Sequence, residues 1–312
     1  MIYTIGVIIM KLATTTGDFR PYCASYKERL EHVCEAGFKY IDLDMYVIDD
    51  NDELLVRADW RDCAKTLKKR AEELGAEFVQ AHSPGGNPLA EDEADKLLSA
   101  TIRSIEVCGE LGIPNIVVHS GMLPGISKAE FFEKNRDFYS KLFPAMEKCN
   151  VNVLCENSNK ANTGEMYFTN SGSDMAEFVK FVNHPLFHAC WDTGHANIEG
   201  NQYDEIKALG KELYALHIND NRGTQDEHLI PYLGTVNMDE IINALMDIGF
   251  NGYFTFEVPS VLRKSQYWLG DRRTFEGDKR LLHPQLFMQK HLEKLMYDTG
   301  VYMLKQYNCY EE

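Results

Sequence analysis

The chain has 312 residues, 44% of them hydrophobic and 26% charged, an ordinary globular composition with enough apolar mass for one large core or two middling ones. Its 32 Lys and Arg stand against 48 Asp and Glu, a formal charge of −16, which makes a phosphate-rich polyanion a poor primary partner. The longest apolar run near the start, Ile5 to Met10, has no basic residue before it and is far too short to span a bilayer. Neither a signal peptide nor a membrane anchor is therefore expected. Eight scattered cysteines form no Cys-x-x-Cys pair, so reduced thiols in the cytoplasm are expected rather than a disulfide framework or a zinc–thiolate site.

In chain order, short apolar runs alternate with stretches of helical periodicity. A strand is expected at Tyr3–Ile9 and a helix at Lys27–Ala36, then strand Tyr40–Met45 and helix Asp62–Leu74. Strand Glu77–Ala81 precedes helix Glu91–Leu111, and strand Asn115–Val118 precedes helix Lys128–Cys149. Strand Asn152–Cys155, helix Asp174–Val182, strand His188–Trp191 and helix Tyr203–Leu209 follow. The last units are strand Leu213–Leu216 with helix Met238–Ile248, and strand Gly252–Phe256 with helix Leu286–Tyr307. Gly37, Gly75, Gly112 and Gly249 stand just past four of the helical patterns, where a left-handed residue ends a helix.

Eight strands separated by helices imply parallel pairing, and eight such units close into a (β/α)8 barrel. A doubly wound open sheet would carry a Gly-rich phosphate turn after its first strand, but Leu12 to Asp18 holds only Gly17. A single TIM-barrel domain over 1–312 is expected, interrupted by an excursion at 259–285 that carries Arg263, Lys264, Arg272, Arg273, Lys279 and Arg280. A loop at that end of a barrel is a solvated excursion, a lid over the mouth or a contact with a second copy of the chain.

The informative feature is what ends the last six apolar runs: His82, His119, Glu156, Asp192, His217 and Glu257. Successive members lie about one strand-plus-helix unit apart, so in a parallel barrel all six gather at the C-terminal rim. Imidazoles and carboxylates at the inner ends of buried strands cost several kcal/mol each unless satisfied. A divalent cation is the common counter-charge that would do so. Carboxylate and imidazole suit Mn²⁺, Co²⁺, Zn²⁺, Fe²⁺ or Mg²⁺ alike. Cys190 shares the inward face of Asp192 but is expected to be packing, while Cys155 and Trp191 face the helices. After the seventh strand, Arg222 could offer donors to substrate, and Asp226 with His228 could hold a second metal.

Taken together, His82, His119, Glu156, Asp192-Thr-Gly-His195, His217-Ile-Asn-Asp, Asp226-x-His228 and Glu257 resemble the xylose-isomerase-like TIM barrel superfamily over about Tyr3 to Pro259. That superfamily includes sugar phosphate isomerases and epimerases, hydroxypyruvate isomerases, inosose dehydratases and endonuclease IV. The resemblance implies a metal held by Glu156, Asp192, His217 and Glu257. The stretch from Asp192 to Glu199 resembles the ketose 3-epimerase signature, in which the histidine, here His195, and the acid after it touch substrate. The DNA-repair branch binds three zinc ions at nine positions, all present here. It also has an aromatic shortly after the first histidine, where this chain has Ser83-Pro84-Gly85-Gly86, and a Gly-Gln-Gly loop where this chain has Asn157-Ser-Asn-Lys-Ala-Asn162.

The expected activity is metal-dependent isomerisation or epimerisation of a sugar through an enediolate. Glu156 and Glu257 would exchange the proton, and His195, Arg222, His82 and His119 would line the substrate. A dehydratase using the same site and an endonuclease IV-like abasic-site nuclease are the alternatives. Nucleic acid and membranes are not expected partners, and a homo-oligomer is compatible with the excursion.

Overall fold

The computed structural model describes residues 8–259, 261–262, 277, 281 and 283–311. Eight parallel strands run in the order β7-β6-β5-β4-β3-β2-β1-β8. They are β1 (Met10–Thr15), β2 (Tyr40–Asp44), β3 (Glu77–His82), β4 (Asn115–Val117), β5 (Asn152–Glu156), β6 (Phe187–Asp192), β7 (Leu213–His217) and β8 (Tyr253–Phe256). The seam between β7 and β8 is closed by the bridge Ile218 to Phe256. There the Ile218 amide donates to Thr255 O at 2.7 Å and the Glu257 amide donates to Ile218 O at 3.1 Å. This is a single (β/α)8 barrel, with a two-residue strand β9 (Tyr310–Glu311) added beside β1. Among the described residues no helix is long and apolar enough to cross a membrane.

The first strand is corrected. β1 begins at Met10; Ile8 and Ile9 lie outside any strand, and residues 1–7 fall outside the described part. Apolar content favours the upstream run, yet pairing on both edges decides: Lys11 to Thr14 register against Tyr253 to Phe256, and Ala13 to Thr15 against Tyr40 to Asp42. Its threonines are β-branched and suit a pleated strand, and Thr14 Oγ1 donates to Glu293 at 3.1 Å. The expected helix Lys128–Cys149 is also corrected, into Lys128–Ser140 and Phe143–Cys149. Pro144 opens the second piece, because a ring without an N–H fits a first turn and not a helix interior. Most of the 259–285 excursion, including its six basic residues, lies outside the described residues.

Strand alternation sorts side chains between two layers. Trp191, Cys155 and Phe254 face the helices within the large apolar core, which Phe178 enters from the helix Gly172–Val182, and each such fully buried side chain stabilises by ~1.5–3 kcal/mol. Inside the barrel, Val117, Leu154, Cys190 and Ala215 form a separate apolar plug. Two residues above each of these stand His119, Glu156, Asp192 and His217, so the plug is the floor of the polar rim.

Candidate metal centre and active site

One ligand atom from each of Glu156, Asp192, His217 and Glu257 lies within 4.8 Å of the other three. Glu156 and His217 end β5 and β7, Asp192 ends β6, and Glu257 follows β8. Glu156 Oε2 accepts from His119 Nε2 at 2.6 Å, and Oε1 meets His217 Nδ1 at 2.5 Å. His217 Nδ1 also lies 3.5 Å from Glu257 Oε2. Asp192 caps the helix Thr193–Glu199 by accepting the His195 amide at 2.6 Å, and its other oxygen accepts from Asn219 Nδ2 at 2.7 Å. A helix N-terminus favours a carboxylate there.

Asp192 and His217 are completely buried and Glu156 nearly so. Burial alone would drive the Glu156 carboxyl up; the imidazoles of His217, His119 and His82 outweigh it and hold the group well below the usual carboxylate range. Burial pushes Asp192 up to about 6. For His217, burial opposes the charge, but Glu257 and Glu156 among its neighbours raise it well above an ordinary imidazole. Acidic neighbours thus favour protons on His217 and His82, and those imidazoles favour the ionised Glu156. The same four side chains, with Nδ1 of His217 directed between two glutamates, supply the oxygen and imidazole donors that a divalent cation takes. The donor set fits such an ion, which would replace those protons.

A second trio, His195, Asp226 and His228, also brings ligand atoms within 4.8 Å of one another. His195 Nε2 donates to Asp226 Oδ2 at 3.0 Å, and His228 Nε2 lies 3.2 Å from the other oxygen. His195 Nδ1 is fixed by donation to Asn157 O at 2.8 Å, and Asn162 Nδ2 adds 2.8 Å to Asp226. His82 belongs to a third set, with His119 and Glu156. Its ring stacks on that of His217, with centroids 5.5 Å apart and planes at 12°.

These groups open into a cavity of about 660 Å³, within the range of small-molecule sites. His82, His119, Glu156, His195, Asp226, His228 and Glu257 line it. Arg222 does not: its guanidinium pairs with Glu227, and its side chain is 62% exposed. A long side chain in a solvated loop takes the nearest carboxylate, here five residues away. Glu199 is exposed, accepts the Lys160 amide at 2.7 Å, and likewise lies outside the cavity. The cationic wall comes from Arg20, whose Nη1 donates to Asp44 at 2.9 Å.

Beside that pair stands Tyr46, its ring edge-on to those of His82 and His119, with centroids 5.2 and 6.0 Å away. Arg20, Asp44, Tyr46 and Asp42 were not among the residues expected from the sequence. The signal was the alternation Ile41-Asp42-Leu43-Asp44, which aims two carboxylates at one face of β2.

Residues 30–275 match the family model described as xylose isomerase-like TIM barrel. An uncharacterized protein of Methanocaldococcus jannaschii is 28% identical over 189 residues, 57% of this chain and 64% of its own length. A D-psicose 3-epimerase of Ruminiclostridium cellulolyticum is 31% identical over 134 residues, 42% of this chain and 43% of its own. The chain therefore spans 43–64% of the length of these curated relatives. The solved D-psicose 3-epimerase of Clostridium cellulolyticum H10 with D-tagatose superimposes with a TM-score of 0.71 at 20% identity, over 95% of this chain and 99% of that one. The IOLI protein with a zinc atom gives 0.71 at 19% identity, over 96% and 99%. At such identities the likeness shows the fold. With the family model covering most of its length, this chain belongs to the xylose isomerase-like TIM barrel family.

Proposed function

We propose that the protein is a divalent-metal-dependent sugar isomerase or epimerase that moves a proton on the carbon beside a ketose carbonyl. The observation that carries this reading is the meeting of Glu156, Asp192, His217 and Glu257 at one point, from which Glu156 and Glu257 line a sugar-sized cavity. The D-psicose 3-epimerase among its relatives supports the substrate class, and the zinc-bound fold neighbour supports a divalent ion. Such an ion, once held by those four residues, supplies positive charge to the carbonyl and to the neighbouring oxygen as negative charge develops there.

The chain's own residues do the rest. Glu257 is the freer carboxylate, with imidazole nitrogens no nearer than 3.5 Å at His217 and 3.6 Å at His228. It takes the carbon-bound proton, and the electron pair moves toward the carbonyl oxygen. Glu156, clamped by His119 and His217, stands on the other side and passes to carbon a proton it accepts from His119 Nε2. His119 is resupplied from solvent through its other ring nitrogen, while Glu257 releases its own proton to solvent. His119 offers its second ring nitrogen to substrate hydroxyls, His195 lines the same cavity and presents its Asp226 partner to them, and the edge-on ring of Tyr46 closes the wall beside them. Eight unpaired cysteines suit a reducing cytoplasm.

One observation favours a second reading. The trios His82–His119–Glu156 and His195–Asp226–His228 adjoin the quartet, so several ions could gather, as a phosphodiester-cleaving enzyme of the DNA-repair branch requires. Metal stoichiometry and nicking of abasic-site DNA separate the two.

The test is deuterium uptake from heavy water, followed by proton NMR over a panel of ketoses and keto-inositols with Mn²⁺. Substrate-dependent exchange is expected, and a net loss of water from product would mark the dehydratase instead. Glu156→Gln and Glu257→Gln each lower exchange by at least ~10²-fold, the usual worth of a general acid or base, with unchanged circular dichroism. Exchange at the wild-type rate in either variant removes that residue from the mechanism.

A further inference from the structure

We infer that Asp42 is the positioning residue that selects which nitrogen of His217 faces the metal centre; the inference rests on the metal-centre reading above. His217 is completely buried at the end of β7, and its two nitrogens face opposite ways. Nδ1 lies 2.5 Å from Glu156 and 3.5 Å from Glu257, on the side where the four ligand atoms meet. Nε2 lies 3.4 Å from Asp42 Oδ2, which reaches across the barrel interior from β2. A neutral imidazole carries one N–H and one lone pair. For Nδ1 to present its lone pair to a cation, the proton must sit on Nε2; that buried nitrogen has no hydrogen-bond partner, and Asp42 Oδ2, 3.4 Å away, is the carboxylate near enough to take its N–H after a small turn of the ring.

Two further observations make this a built arrangement. Asp42 is 1% exposed, and Oδ1 has no hydrogen-bond partner, a state that burial makes costly. Its Oδ2 is held by Gln80 Nε2 at 3.0 Å, and the same amide reaches Leu216 O at 3.5 Å, in the residue before His217. Gln80 thus ties the carboxylate of β2 to the backbone of β7. The stacked ring of His82 keeps the imidazole plane in register with it. A buried carboxylate with an unpartnered oxygen, tethered beside the back nitrogen of a candidate ligand, is the arrangement by which outer-shell acids fix histidine tautomers.

The experiment is Mn²⁺ and Zn²⁺ affinity by calorimetry on the full chain, with imidazole ¹⁵N NMR of the zinc-loaded protein. Wild type is expected to bind, and to show His217 with its proton on Nε2. Asp42→Leu, close in volume but without an acceptor, is expected to weaken binding ~10- to 100-fold and to shift or abolish the Nε2–H resonance, which a purely structural role would leave in place. Asp42→Asn keeps one acceptor oxygen and loses the charge, so its affinity falls less, though by more than threefold. Affinity within threefold of wild type in Asp42→Leu, or in Asp42→Asn if the leucine variant does not fold, overturns the inference while leaving the metal centre standing. A wild-type protein that binds neither ion overturns the functional reading and this inference with it.

Discussion

Replacing Glu293 by Gln will change how stability responds to pH, because this carboxyl is buried opposite another. Glu293 projects from the helix Leu286–Gln306 and is 1% exposed; Asp18, in the short turn after β1, is also 1% exposed. Neither Asp18 oxygen nor Glu293 Oε2 has a hydrogen-bond donor, and Val258, Leu292 and Met296 wall the pair off. Two ionised carboxylates cannot share such a pocket.

Burial pushes Glu293 from 4.5 up to about 7, and burial followed by Glu293 itself raises Asp18 well above its ordinary value. The pair keeps a proton and titrates as a unit. A carboxyl whose folded pKa exceeds its unfolded one contributes stability that is whole below the unfolded value. That contribution is lost as pH rises through the folded value. At about 1.4 kcal/mol per pH unit, the gap corresponds to roughly 3 kcal/mol, with little reduction by solvent at this depth. Urea unfolding followed by circular dichroism at pH 5, 6, 7 and 8 measures it. Relative to wild type, Glu293→Gln should be about 3 kcal/mol better off at pH 8 than at pH 5. Two curves that stay parallel to within about 1 kcal/mol across that range, a margin set by extrapolation error, would refute the shared-proton argument.

Two shorter predictions address the cavity. A Cβ at Gly85 would come within 2.2 Å of the Tyr46 ring, so Gly85→Ala should push that ring off His82 and His119 and raise KM for the proposed sugar substrate more than it lowers kcat. Adding Mn²⁺ to chelator-treated protein should raise the thermal midpoint, by the equivalent of about 2.7 kcal/mol at a hundredfold excess over Kd; an unmoved midpoint at millimolar Mn²⁺ counts against the four-residue centre.

What the sequence disclosed and what it hid follow from one geometric distinction. His82, Glu156, Asp192, His217 and Glu257 were legible because each is a lone polar group ending an apolar run, and a parallel barrel converts equal spacing along the chain into a shared rim. Asp42 and Gln80 share the inward face of that rim but lie two residues deeper, inside β2 and β3. A polar residue within a strand reads as solvent-facing unless the strand is known to be covered on both sides. Loops obey neither rule. Arg222 was expected to offer donors to substrate and Glu199 falls in the epimerase-like signature, yet local partners, Glu227 and the Lys160 amide, hold them outside the cavity. A cation in a loop is placed by the nearest carboxylate and not by strand period, so its aim is a tertiary fact. The excursion of β1 from its expected place has the same cause. Ile5 to Ile9 is richer in apolar residues than Met10–Thr15, but a strand inside a closed sheet is chosen by having a partner on each edge, and threonine supplies that as well as isoleucine does.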